Sequence, residues 1–198
     1  MKDTELIQDA KSGKFIVQGN FLDIDKPNQD GLAFSRTTME WLVNDERYQD
    51  CLKRRVFPAY IEHPQENIVG FKGTEAGILI KGEIEGNEFV GAIELLDTDE
   101  GKFIRDLYEH GVQIGVSIRA DGCTDTGTIP GTTTGPIQFF GFDFVAEPAF
   151  KYAVPQRLAA SRRFITNSRL RLSDGADILA QKRRKALGDL MYNRFTKF

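Results

Sequence analysis

The chain has 198 residues, of which 40% are hydrophobic and 28% are charged. This composition is that of an ordinary folded protein and excludes a disordered chain, while the length allows one full domain with appendages. No apolar run approaches the roughly 20 residues that cross a bilayer, and the polar N-terminus predicts no secretory signal. Cys51 and Cys123 offer neither a metal-binding spacing nor a disulfide framework, which favours a reducing, intracellular setting without a metal.

The net charge of −3 conceals an uneven distribution. Residues 1–156 contain 15 Lys and Arg against 26 Asp and Glu, a net charge of −11. Residues 157–198 contain 11 Lys and Arg against 3 Asp and Glu, a net charge of +8. A basic segment on an acidic body indicates docking on an acidic partner or nucleic acid, or else a solvated tail that complements its own body. Composition leaves these alternatives open.

The chain begins with a polar stretch, residues 1–14, that shows no periodicity and predicts a mobile arm. Residues 15–22 have the composition of a β-strand. Beyond a polar loop, Ser35 or Thr37 can cap a helix that runs to about Lys53, with apolar residues at helical spacing.

The middle of the chain predicts an extended segment followed by a β-hairpin. Pro64 disfavours a helical conformation for the residue before it, so His63 is expected at the end of an extended segment or in a turn. Residues 77–84 and 88–96 have strand composition and flank a Gly-Asn turn at 86–87.

A short helix and two more strands complete the body of the chain. Thr98 caps the helix and Gly111 ends it. A strand at residues 112–118 and another at 137–145 are separated by a loop at 121–136, which is rich in Gly, Thr, Asp and Pro.

These elements predict an α+β domain over residues 15–156, with an antiparallel β-barrel or sheet at its core and a few helices at its periphery. Residues 157–198 are expected to form a basic linker and an amphipathic helical tail. The tail helix, from 176 to 198, contains the basic run 182–185. Its apolar stripe consists of Ile178, Leu179, Leu187, Leu190 and Met191.

Three short strings supply the groups of a hydrolytic site. They are Ile61-Glu62-His63-Pro64, Gly115-Val116-Ser117-Ile118-Arg119 and Gly141-Phe142-Asp143-Phe144-Val145-Ala146-Glu147-Pro148. In order they offer an imidazole, a hydroxyl and a carboxylate, which together let a serine attack a carbonyl carbon. A His-Pro pair is also common in turns, a strand serine often bonds backbone, and a strand aspartate often faces solvent. The strings alone leave both interpretations open.

The surroundings of these residues favour a paired arrangement. Ser117 lies in an apolar strand, where a hydroxyl gains little by itself. Asp143 lies between two phenylalanines, and burying a carboxylate there is costly unless it is hydrogen-bonded. An N–H of the His63 imidazole would satisfy it. His110, the other histidine, is expected at the end of a helix, where a cation complements the helix dipole. Cys123 has no nucleophile signature around it.

In this order and at these separations, the three strings resemble those of the procapsid, or prohead, maturation proteases of tailed bacteriophages. That family is related in fold to the herpesvirus assemblins. The resemblance covers roughly residues 13–156. It includes the pattern Asp-x-Val-x-x-Pro from Asp143, followed by Ala-Val-Pro at 153–155, and a loop and helix over 25–43.

The resemblance implies a serine endopeptidase in which His63 is the catalytic histidine and Ser117 the nucleophile. Asp143 stands where assemblins have a second histidine, so the carboxylates Glu62, Glu88 and Asp97 remain alternative partners for His63. An oxyanion site is also required. Candidates are backbone N–H groups in the loop after Ser117, and Arg119, which shares a strand face with Ser117. Arg119 is alternatively a partner of a surface carboxylate.

The resemblance further implies no cofactor and an enzyme that digests the scaffold or core proteins, trims the major capsid protein and processes itself. It predicts a homo-oligomer inside the phage procapsid, in the host cytoplasm. The arm 1–14 is then a possible inhibitory pro-segment, and the tail 157–198 is expected to dock on scaffold or shell protein.

Two rival functions remain. One is a structural capsid or tail-tube-like protein of the same fold without catalysis. The other is a nucleic-acid-binding module that acts through the tail, which the acidic body disfavours. A membrane partner is not expected.

Overall fold

The computed structural model describes residues 5–9, 13–65, 70–122, 132–150 and 153. The predicted linker and tail, 157–198, and Cys123 lie outside these residues. The described strands are β1 Glu5–Gln8, β2 Phe15–Asp23, β3 Ala33–Phe34, β4 Pro58–Ala59, β5 Gly77–Glu85, β6 Glu88–Leu95, β7 Gly115–Asp121, β8 Thr132–Thr133 and β9 Gln138–Val145. The described helices are α1 Arg36–Asn44, α2 Glu46–Lys53 and α3 Asp99–Glu109. None of the described helices is long and apolar enough to cross a membrane.

The largest sheet has five strands in the order β1-β2-β6-β5-β4, and all its pairs are antiparallel. Its centre is the predicted hairpin, in which β5 and β6 flank the turn at Gly86 and Asn87. Irregularities in register bend the sheet between Asn20 and Leu22 and between Leu79 and Lys81. The predicted α+β class with an antiparallel sheet at its core is confirmed.

A second antiparallel pair, β7 with β9, carries two of the three strings. A parallel bridge between Ile61 and Phe144 joins β9 to the segment that follows β4. The last strand of the five-stranded sheet therefore leads directly to the face of the second pair. A short parallel pair joins β3 to β8. The second of these strands, β8, lies in the segment 121–136 that was predicted as a loop.

Aromatic side chains fix β9 to the core. The ring of Phe142 is fully buried and contacts Phe21 at 5.0 Å and Phe89 at 5.4 Å between centroids. Phe144 is also fully buried. Because side chains alternate along a strand, Asp143 between them points to the opposite face of β9. The core thus determines the direction of the carboxylate.

Two elements differ from the sequence prediction in their bounds. The helix expected to run from Ser35 or Thr37 to Lys53 is interrupted at Asp45, which is extended and caps α2 by accepting the N–H of Tyr48. Ser35 caps α1, as predicted.

The seventh strand begins three residues later than expected. Val112 was predicted to start it, but its N–H donates to Leu107 O and closes the end of α3, after Gly111 at φ 73°. The arm also differs from the prediction, since Glu5–Gln8 pairs with β2 as an edge strand.

Candidate active site

The β7–β9 pairing places Ser117 directly opposite Asp143. Directly opposed residues of an antiparallel pair share a face, with Cβ atoms about 4.5–5.5 Å apart. Arg119, two residues along the same strand, lies opposite Gly141 on that face, as strand alternation predicted. Register alone therefore brings the hydroxyl, the carboxylate and the guanidinium together.

His63 reaches this face through a backbone turn. The Glu62 N–H donates to Phe144 O at 2.7 Å, and the Phe144 N–H donates to Tyr60 O at 2.8 Å. Glu62 then adopts a left-handed conformation, with φ 60°, which is uncommon for a residue with a side chain. Its carboxylate accepts the N–H of Ala146 at 3.0 Å and so ties the turn to the end of β9. The left-handed turn directs His63 back over the strand pair.

His63 and Asp143 form a direct contact, with 2.8 Å between Nδ1 and Oδ2. The Asp143 side chain is fully buried, whereas the His63 side chain is 42% exposed. A carboxylate accepts hydrogen bonds, so Nδ1 carries the hydrogen and Nε2 of the neutral ring is an acceptor. In this tautomer Nε2, the nitrogen away from Asp143, can accept a proton as a general base must.

Ser117 is buried, with 6% of its surface exposed. Among the described residues, no hydrogen bond joins its Oγ to His63. Such bonds are often long in a free enzyme and tighten only when substrate binds. The structure therefore places the hydroxyl on the same strand face as the Asp143 carboxylate, while the Ser117–His63 contact remains a prediction.

Arg119 is buried and lies against Asp143. Its Nε donates to Asp143 Oδ2 at 2.8 Å, and its Nη2 lies 3.5 Å from Oδ1. The same Nη2 is 3.2 Å from Pro58 O and 3.4 Å from Phe140 O. The positive charge compensates the buried carboxylate, which would otherwise be costly to desolvate.

This arrangement bears on the role expected for Arg119. The sequence predicts for Arg119 either an oxyanion or substrate role or a surface ion pair. Its partner is instead the buried Asp143, and the guanidinium contacts described above point to that carboxylate and to backbone carbonyls. These contacts lend the oxyanion role no support. The other candidate donors, in the loop after Ser117, belong largely to residues 123–131, which lie outside the described part.

The alternative carboxylates lie at other places in the described fold, and none of the described contacts joins them to His63. Glu62 accepts the Ala146 N–H, and Asp97 is 92% exposed and pairs with Lys102 at 3.0 Å. Glu88 begins β6 and is opposite Glu85 in the hairpin. Asp143 is thus the carboxylate that contacts His63 in the described structure.

The other candidates have structural positions. His110 follows α3 as its cap and its Nδ1 lies 2.7 Å from Asp106 O, as expected for a helix-terminal histidine. Cys51 lies in α2. The described residues contain no cluster of three or more His, Cys, Asp or Glu that could hold a metal ion.

Gly141 lies where β9 passes close to the backbone of Pro58, which Arg119 also contacts. Gly141 has φ 141°, and a Cβ there would lie 2.8 Å from Pro58 O and 3.5 Å from Arg119 Nη2. A side chain at this position would therefore clash with the backbone oxygen of Pro58, and the positive φ would also be strained.

Two residues of the site carried no sequence signal. Tyr60 donates its N–H to Asp143 Oδ1 at 3.0 Å, and its ring lies 5.2 Å from the Arg119 guanidinium carbon. Glu75 is buried, and its Oε1 accepts a hydrogen bond from the Tyr60 hydroxyl at 3.2 Å. Tyr60 precedes His63 by three residues, but a tyrosine in an apolar segment normally indicates core.

The described fold is similar to that of a solved bacteriophage capsid assembly protease. One similar solved structure is the bacteriophage T4 capsid assembly protease, gp21, which superposes with a TM-score of 0.58 and 19% sequence identity. The match covers 73% of this chain and 96% of that chain. No protein-family model and no curated protein matches the chain. At this identity the likeness establishes the fold, and it confirms at that level the resemblance inferred from the sequence.

Proposed function

We propose that this chain is a serine endopeptidase that digests internal scaffold and trims capsid proteins during phage procapsid maturation, and that it also processes itself. The observation that carries the proposal is the 2.8 Å contact between His63 and Asp143, on the strand face where Ser117 lies opposite Asp143. The fold shared with a capsid assembly protease supports the biological setting.

In the proposed reaction, His63 Nε2 takes the proton from Ser117 Oγ as that oxygen bonds to the scissile carbonyl carbon. The carbonyl electron pair moves onto oxygen. When the tetrahedral intermediate collapses, the C–N bond breaks and the imidazolium gives its proton to the leaving amine. An ester on Ser117 remains.

Water completes the cycle by the same route. His63 removes a proton from water as the oxygen bonds to the acyl carbon, and Ser117 Oγ leaves with the proton returned by the ring. Throughout, Asp143 holds Nδ1–H and stabilises the positive charge that forms on the imidazole. Arg119 keeps Asp143 in place and is assigned a positioning role.

The natural substrates follow from the proposed setting. They are scaffold or core proteins and the major capsid protein, inside the procapsid of a phage-infected cell. An oligomer, the pro-segment 1–14 and the docking of the tail 157–198 belong to the same proposal.

Replacing Ser117 tests the proposal directly. The full chain and its Ser117→Ala and Ser173→Ala variants are incubated with a fluorophosphonate probe, which modifies activated serines, and analysed by intact and peptide mass spectrometry. We expect modification at Ser117 and self-cleavage in the wild type and in Ser173→Ala, whose serine lies in the predicted linker. Both signals should be absent from Ser117→Ala. Self-cleavage that persists in Ser117→Ala would contradict the proposal and favour a contaminating protease or a non-catalytic capsid protein.

A further inference from the structure

Tyr60 contacts both members of the Arg119–Asp143 ion pair. Its main-chain N–H donates to Asp143 Oδ1 at 3.0 Å, and the guanidinium carbon of Arg119 lies 5.2 Å from its ring centroid. Arg119 is therefore held between the carboxylate in front and the face of an aromatic ring behind. The ring therefore limits where the guanidinium can lie, together with Asp143 and the backbone carbonyls of Pro58 and Phe140.

The Tyr60 ring is anchored at its far end. Its hydroxyl oxygen lies 2.9 Å from Gly70 O and 3.2 Å from Glu75 Oε1, so its single hydrogen has two acceptors within reach. Glu75 is buried and also accepts the N–H groups of Lys72 and Gly73, the latter at 3.0 Å. One carboxylate thus closes the backbone turn at 72–75 and anchors the tyrosine.

The ionisation states suit this anchor. Burial, reinforced by the negative charge of Glu75, raises the pKa of Tyr60 to about 12, so the phenol keeps its hydrogen at neutral pH. Burial acts to raise the pKa of Glu75, but hydrogen bonds from the backbone N–H groups of Lys72, Glu75 and Gly73 outweigh it and lower that pKa. The donor remains a donor and the acceptor remains charged.

We infer that Tyr60 and Glu75 are positioning residues for the proposed hydrolase. The anchored ring fixes Arg119, Arg119 fixes Asp143, and Asp143 fixes the tautomer and direction of His63. This inference rests on the proposed function, since it concerns the efficiency with which His63 activates Ser117. Neither residue is proposed to touch the substrate.

The expected effects are those of small displacements in a site that needs accurate geometry. A misplacement of about 1 Å from a remote mutation can cost about 100-fold in rate. Tyr60→Phe keeps the ring and loses its anchor, and Glu75→Gln weakens the same anchor by removing the charge. We expect each to slow the reaction about tenfold. Tyr60→Leu removes the ring beneath Arg119 and should cost about 100-fold.

The readout is the rate at which a fluorophosphonate probe modifies Ser117, measured against pH. This rate reports on the nucleophile without knowledge of the natural cleavage sequence, and its acidic limb reports on the histidine that acts as base. The matched control is Tyr48→Phe. Tyr48 is likewise buried and its hydroxyl bonds a backbone carbonyl, Gly82 O at 3.1 Å, but it lies in α2 and contacts neither Arg119 nor Asp143 among the described contacts.

The inference predicts that Tyr60→Phe and Glu75→Gln slow the modification of Ser117 and displace the acidic limb of its pH profile. Tyr48→Phe should lose a similar amount of thermal stability but keep the wild-type rate and pH profile. Wild-type rate and limb in either folded site variant would overturn it, while loss of modification in Ser117→Ala would leave the proposed function intact. A wild-type chain that is not modified at Ser117 would overturn both. If one site variant has no cooperative melt, the other decides.

Discussion

Asp143 is the residue that connects the separate parts of the proposed site. It is fully buried and contacts His63, Arg119 and the backbone N–H of Tyr60. Its charge has two effects, because it orients the imidazole and balances a buried guanidinium. Removing the charge should therefore damage both catalysis and stability, and the two losses can be measured separately.

Asp143→Asn is expected to lower the rate of Ser117 modification by about 10⁴-fold, because an amide can hold the imidazole in the wrong tautomer. It should also destabilise the fold by about 3–5 kcal/mol, because Arg119 is left as an uncompensated buried charge. Probe labelling at neutral pH measures the first effect and urea unfolding the second.

The double variant Asp143→Leu with Arg119→Met separates the two effects. Apolar replacement of a buried ion pair is often neutral or stabilising, so this protein should be more stable than Asp143→Asn yet equally slow. If Asp143→Asn were modified at the wild-type rate, Asp143 would not be the orienting group. Glu62, Glu88 and Asp97 would then become candidates again.

The contact of Asp143 with His63 was predicted from the sequence, whereas the contact of Arg119 with Asp143 was not. A carboxylate in an apolar strand needs a hydrogen-bonding partner if it is buried, and a histidine is a natural partner. Strand alternation correctly placed Arg119 on the face of Ser117. It could not identify the partner of Arg119, because a shared strand face does not specify which of the neighbouring carboxylates a long side chain contacts.

At the scale of the elements, Glu94 connects β6 to the chain next to β2 and to the chain next to α2. It lies in β6 with 10% of its side chain exposed, and it pairs with Lys14, just before β2, and with Arg55, just after α2, each at 2.8 Å. Burial opposes ionisation, but the hydrogen bonds and charges of Lys14 and Arg55 outweigh it and lower the pKa of Glu94. This carboxylate is therefore a local source of pH-dependent stability.

A carboxyl group whose pKa is lowered by folding contributes stability above its unfolded pKa, about 4.3 for glutamate. That contribution is lost as pH falls through the folded value. The free energy of unfolding of the wild type should therefore drop more steeply below about pH 4.3 than that of Glu94→Gln. The difference is expected to be about 1 kcal/mol, since both partners are partly exposed.

Urea unfolding at a series of pH values measures this difference, and Glu147→Gln is the matched control because Glu147 is exposed. Parallel pH profiles for the wild type and Glu94→Gln would show that the ion pairs contribute nothing. Glu75, whose pKa is also lowered, remains in both proteins and contributes equally to each profile.

Local signals predicted the elements that local chemistry controls. The caps Ser35 and Thr98 and the hairpin turn at 86–87 occur as expected, because each depends on neighbouring residues alone. The break at Asp45 was missed because aspartate tolerates a helix and becomes a cap only when the chain turns. The short strands β3, β4 and β8 carry two residues each, too few for a periodic signal.

At the scale of the whole molecule, the fold brings together the three strings that the sequence analysis grouped as one site. Ser117 and Asp143 meet through one strand pair, and His63 joins them through the Ile61–Phe144 bridge. The Tyr60–Glu75 anchor involves residues 15 positions apart with no shared motif. Such a contact follows from tertiary packing, so no local pattern could have indicated it.

The uneven charge of the whole chain leads to the last prediction. Residues 1–156 carry −11 and residues 157–198 carry +8, so the tail can dock either on an acidic partner or on its own body. If the tail recruits the protease, a chain ending at 156 should be packaged at least tenfold less into procapsids formed with the scaffold and capsid proteins of its own virus. Replacing Lys182, Arg183, Arg184 and Lys185 with Gln should reduce packaging in the same direction.

Each chain is tested with Ser117→Ala, so that proteolysis inside the particle does not remove the protein that is counted by mass spectrometry. Urea unfolding of the truncated and full chains runs in parallel. If the tail complements its own body instead, truncation should lower stability, and the Gln replacements should weaken that effect at low salt more than at high salt. Equal packaging of the truncated and full chains would contradict recruitment by the tail and would assign entry into the procapsid to the body at 15–156.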